Sequence, residues 1–172
     1  MTRENTLLKL IAHDLRSLHA SALVLEKNVA RLAMELESQD LASLAGLIAQ
    51  INCSGFDPIE DLLRRARIQE PKGGTPADPL LKGALMDAAG GRRLDVAGVI
   101  GMLRRSARYL EMHCMSLATS ATQLGLTQTS HYLRAWAREW IGLELNLNAV
   151  AARPRPRESP VAVAATAAFA MA

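Results

Sequence analysis

From Val96 to Leu124 the chain reads VAGVIGMLRRSARYLEMHCMSLATSATQL, and its apolar residues fall at alternating steps of four and three. They are Val96, Ile100, Leu103, Ala107, Leu110, Cys114, Leu117, Ala121 and Leu124. With about 3.6 residues per turn, that spacing lays one continuous apolar seam along an α-helix. Three other stretches repeat it. The first is Ile11, Leu15, Leu18, Ala22, Leu25, Val29, Leu32 and Leu36; a shorter one is Leu41, Leu44, Ile48 and Ile51. The last is Leu133, Trp136, Trp140, Leu143, Leu147 and Val150. Four seams of this kind specify an all-α bundle packed at shallow crossing angles. No seam position is a carboxylate or a histidine. Bundles that carry out metal chemistry place Glu and Glu-x-x-His ligands on those inward positions.

The composition agrees with helices. Apolar residues make up 49% of the 172 but aromatics only 3%, so Leu, Ala, Ile and Val must fill the core, as in close-packed helices rather than sheets. Of the net charge of +3, residues 151–172 carry +2, which leaves the rest nearly neutral and disfavours nucleic acid as a partner. Two cysteines, Cys53 and Cys114, suggest no disulfide framework, and a reducing cytoplasm is the expected setting. The charged opening MTRENTLLKLIAHDLR has no signal-peptide core, and no stretch has the length of a membrane span.

The first helix is expected from about Thr6 to Glu37 and the second from about Leu41 to Asn52, forming a hairpin ended by Cys53-Ser54-Gly55. Asp57-Pro58-Ile59-Glu60 joins an N-cap to a proline at the first helical position, so a short helix to about Ile68 follows. Residues 71–79 read as a loop, and Asp78-Pro79 opens another short helix that Gly90-Gly91 breaks. The long third seam begins near Leu94 and stops at Gly125; Thr127 is placed to cap the last helix, which runs to about Val150. Gly98 and Gly101 read as points of close helix approach. The architecture is therefore two antiparallel hairpins joined by a crossover of roughly forty residues containing short helices. Residues 1–150 form one bundle domain; 151–172, with Arg153, Pro154, Arg155, Pro156 and Arg157 before an Ala-rich end, read as a disordered tail.

Two stretches resemble the YciE/YciF-type ferritin-like bacterial family. One is Asp14-Leu15-Arg16-Ser17-Leu18-His19-Ala20 with Leu25, Lys27 and Leu32-Ala33; the other is Arg108-Tyr109 with Gln123-Leu124-Gly125-Leu126, Leu133 and Ala137-Arg138-Glu139. The resemblance spans roughly residues 8–150 and implies a ferritin-like four-helix bundle with a dinuclear metal site. Its ligand positions fall on Ala22, near Gln50 and Ile51, on Ala107 to Leu110, and on Glu139, the one acid retained. One carboxylate cannot hold two metal ions, so no cofactor and no metal are expected, and this chain reads as a degenerate member.

His13-Asp14-Leu15-Arg16-Ser17 resembles the phospho-acceptor box of sensor histidine kinases and phosphotransfer domains. His13 lies off the seam, and Arg16 one turn on could counter a phosphate. Leu18 stands where the kinase box has proline, and no Gly-rich nucleotide-binding region follows. The plainer reading is a solvent-facing histidine. Met112-His113-Cys114-Met115 gathers soft metal ligands, yet consecutive helical residues diverge and Cys114 belongs to the seam. His19 and His131 are isolated and read as solvent-facing. Trp136 and Trp140, with Tyr132, Arg134 and Arg138 around them, fit either a base-stacking platform or, more simply, the core. Arg64-Arg65-Ala66-Arg67 and Arg104-Arg105 with Arg108 read as solvated basic faces. The expectation is a non-catalytic bundle acting through protein contacts, as a homodimer or with another protein, the alternative being a phosphorelay module using His13.

Overall fold

The computed structural model describes the backbone of residues 3–65 and 95–153, and side chains from 8 to 55 and from 95 to 153. Those residues form four α-helices and no strand: α1 (Arg3–Glu35), α2 (Gln39–Arg65), α3 (Val96–Gln123) and α4 (Thr127–Ala151). Every seam residue named above is buried except Leu36 and Leu124, which are partly buried against the same core. The tail beyond 153 and the second short helix of the crossover lie outside the described residues.

Both hairpin turns are built alike. At the end of α1, Ser38 N–H donates to Ala33 O (3.1 Å) and Glu37 N–H to Met34 O (3.2 Å), with Glu37 at φ 47°. At the end of α3, Leu126 N–H donates to Ala121 O (2.9 Å) and Gly125 N–H to Thr122 O (3.0 Å), with Gly125 at φ 71°. This is the Schellman arrangement, whose left-handed residue is favoured as glycine. Only the second turn has one. Glu37→Gly should therefore raise stability by about 0.5–1 kcal/mol, read as a higher midpoint in thermal or denaturant unfolding.

Two expectations about helix ends change. Gly55 does not close the second helix, which continues through Asp57 and Pro58 to Arg65, so residues 57–65 of the expected short helix are part of α2. Pro58 supplies no N–H to the Ser54 carbonyl, and the helix carries that loss. Thr127 is the first residue of α4 rather than its cap; Leu126 holds the cap position with no side-chain bond. Asp95 caps α3, its Oδ1 accepting Gly98 N–H at 2.7 Å. Gly101 allows no close approach either: a Cβ there would meet only the Arg105 guanidinium, at 4.0 Å.

In cross-section α1 packs on α2 and α3, and α4 packs on α3 and α2, which makes a square. Arg153 at the end of α4 reaches Asp40 at the start of α2 (2.8 Å), while Ser54 further along α2 meets Glu139 (2.7 Å), so α2 and α4 are antiparallel. Since α3 and α4 form a tight hairpin, α2 and α3 run the same way. The order is up-down-down-up, so the last described residue of α2 and the first of α3 lie at opposite ends of the bundle.

Candidate functional site

The seams meet in the interior, where the resemblance would place a metal centre. Ala22 and Leu110 are fully buried, Ala107 and Ile51 nearly so. Gln50, the other position near the second-helix acids, is exposed on α2, and Arg108 is exposed on α3. Glu139 is exposed on the α2 side of α4 and accepts a hydrogen bond from Ser54 Oγ. These positions are not brought together as carboxylates around a cavity, and they do not fit a dinuclear metal. Among the described residues, no three His, Cys, Asp or Glu side chains gather where an ion could sit.

The interior is not wholly apolar. Asn52, 2% exposed, projects from α2 to α1, where its Nδ2 donates to Ala22 O (3.2 Å) and to Glu26 Oε2 (2.7 Å). Its Oδ1 has no partner. On the other side of α2, Trp136 Nε1–H donates to Ile51 O at 3.0 Å, and its indole fills the space beside Gly55. A Cβ at Gly55 would lie 2.3 Å from indole atoms, so glycine is required there by packing. Sequence reasoning misses both roles, since it places Asn52 at the end of the second helix and Gly55 in the stop that follows it. Trp140, equally buried and 6.3 Å from Trp136 between ring centroids, leaves its Nε1–H without a partner. The two tryptophans are core, not a stacking platform.

His13 is exposed on α1, with Asp14 and Arg16 half-buried beside it. His19 is different. Burial of its ring lowers its pKa from 6.5 to about 4. The unfolded chain then takes up a proton at higher pH than the folded one, so His19 leaves stability intact above pH 6.5 and erodes it as pH falls towards 4. In His19→Gln that decline should be shallower, which urea unfolding at pH 7, 5.5 and 4.5 would show.

The Met112-His113-Cys114-Met115 run diverges as helical geometry requires. Cys114 is buried, Met112 and Met115 are exposed, and His113 is half-buried with its ring edge-on to Tyr109 at 5.7 Å. Burial pushes the Cys114 thiol well above its ordinary range, whereas Cys53 is exposed. A thiol reagent should titrate one cysteine per native chain, lost in Cys53→Ser, and two after denaturation. His131 is exposed, edge-on to Tyr132. The cluster at Arg64–Arg67 lies outside the described side chains.

The outer face of the α3/α4 hairpin carries charge and apolar surface together. Arg108 lies 2.6 Å from Glu111 and 4.0 Å from Glu144 of α4, and Thr122 Oγ1 meets Ser130 Oγ at 2.8 Å. Arg104, Arg134 and Arg138 are exposed and make no ion pair among the described residues. No described helix is long and apolar enough to cross a membrane. Compared with protein families, with curated proteins and with solved structures, the chain finds no match.

Proposed function

We propose that this chain is a ferritin-like bundle, a degenerate relative of the YciE/YciF-type family, that acts through protein contacts and has no dinuclear metal chemistry. One observation carries the reading. Of the positions the resemblance assigns to ligands, Ala22, Ile51, Ala107 and Leu110 are buried core residues with no donor atom in their side chains, while Gln50, Arg108 and Glu139 are exposed. The up-down-down-up order with one long connection is the one that ferritin-like folds use, which supports the resemblance. The partner is a second copy or another protein in the cytoplasm of a bacterial cell. Metal analysis of the native protein, together with its solution mass, tests the proposal: a metal-free complex or dimer is expected. Stoichiometric iron or manganese would overturn it.

A second reading rests on the exposure of His13 on a four-helix bundle. Its imidazole nitrogen would attack the phosphorus of an aspartyl phosphate, displacing the carboxylate and releasing the ring proton, with Arg16 near the product. Acid-labile phosphate on wild type but not on His13→Gln, after incubation with a small phosphodonor, is the expected result for that reading. No such phosphate on wild type ends it.

A further inference from the structure

The two helices of the second hairpin carry stripes of the same design. On α3 it is Arg104, Arg108, Met112 and Met115; on α4 it is Arg134, Arg138, Ile141 and Leu145. Each runs two arginines one turn apart and then two apolar residues in the same row of its helix. The Arg108–Glu144 and Thr122–Ser130 contacts fix how the helices lie side by side. Their register sets Met112 level with Ile141, Leu145 beside Arg108, and Met115 beside Arg138. Because the helices are antiparallel, the apolar residues meet in the middle and arginines stand at both ends.

Met112 is 63% exposed and Leu145 66%, while Met115 and Ile141, at 38% and 40%, sit deeper. The patch is thus a shallow trough along the helix pair with raised apolar sides. Glu111 and Glu144 offset Arg108, leaving Arg104, Arg134 and Arg138, with the exposed Arg105 beside Arg104, to set a positive field. We propose, building on the reading that the protein acts through protein contacts, that this trough receives an amphipathic helix of a different protein, apolar at its centre and acidic at both ends. The match is one of charge and shape together. Met and Arg are characteristic interface residues, and unbranched methionines adapt to a partner's ridge. From Arg104 to the level of Arg134 the trough covers about four helical turns, enough for one short helix.

Two other occupants fit less well. A second copy applied to the same face through a two-fold axis would set arginines against arginines at both ends. A lipid surface calls for a compact basic cluster and for apolar side chains that all protrude. Here the unpaired arginines are split between the two ends, and Met115 and Ile141 are much less exposed than Met112 and Leu145.

The test uses the full chain and a labelled helical peptide of about fifteen residues, with a leucine stripe and glutamates at both ends, followed by fluorescence anisotropy. Saturable binding that weakens as salt rises is expected. It should fall about ten-fold or more in Ile141→Asp/Leu145→Asp and in Arg134→Glu/Arg138→Glu, both made at exposed positions and checked for an unchanged Tm. A peptide with lysines in place of glutamates should not bind. Absence of saturable binding, equal binding by the lysine peptide, or equal affinity of the variants would overturn the proposal. So would cosedimentation with phosphatidylglycerol vesicles that Ile141→Asp abolishes, or a dimer that the same change dissociates. Metal content separates the two failures, since a metal-free chain that ignores the peptide retains the contact reading and loses this face.

Discussion

Gly55→Ala should destabilise the fold by about 2–3 kcal/mol, although the same change in an exposed helix interior is worth nearly 1 kcal/mol in the other direction. The added methyl would lie 2.3–2.4 Å from three atoms of the Trp136 indole. That ring cannot swing clear: it is 1% exposed and anchored to the Ile51 carbonyl through Nε1. Either α2 and α4 separate locally, which opens voids around the largest side chains of the core, or Trp136 gives up its hydrogen bond and rotamer. Equilibrium urea unfolding checks the value. A Gly55→Ala/Trp136→Leu double variant checks the cause, since the smaller side chain should restore tolerance of alanine and make the two changes strongly non-additive. Additive effects would mean that the glycine matters through α2 alone.

Asn52→Asp is expected to cost more, about 3–5 kcal/mol at pH 7. The amide nitrogen donates to Ala22 O and Glu26 Oε2; a carboxylate oxygen in its place turns two attractions into repulsions inside a nearly closed site. The sign with pH follows. Folding would favour a proton on one member of the new carboxylate pair, so the variant should recover stability as pH falls from 7 towards 5. Wild type, with His19 eroding stability over the same range, should move the opposite way. Asn52→Leu is the control: with no charge introduced, its loss should be small and show no such recovery.

These two positions also show where reading the chain stops. The seams were legible because each depends only on its own helix: Leu15, Ile48, Leu110 and Leu143 face inward whatever lies opposite them. The Leu124-Gly125 turn was legible for the same reason, since a left-handed residue at the end of a helix is a local demand. Gly55 and Pro58 carry stop signals that are equally local and that the tertiary structure overrides. Trp136 occupies the place of a side chain at 55, and nothing within a few residues of Gly55 reveals that. Asn52 looked like helix-end punctuation because its partners, Ala22 and Glu26, belong to another helix. At the candidate metal positions the chemistry of each side chain was legible residue by residue, because alanine and leucine offer no ligand atom wherever they point. The paired stripes on α3 and α4 were not. Met112 and Leu145 are single off-seam residues until the register of the hairpin lays them on one face.

The up-down-down-up order also governs how the molecule can be cut and joined. Because α1 and α4 point the same way, Arg3 and Arg153 stand at opposite ends of a rod whose longest helix has 33 residues, close to 50 Å at about 1.5 Å per residue. In many domains the two ends of the chain lie near each other, so that rearranging the order of segments needs only a short bridge. Here the segment joining Arg153 to Arg3 in a circular permutant would have to run along the outside of the bundle, a span of at least about fifteen extended residues.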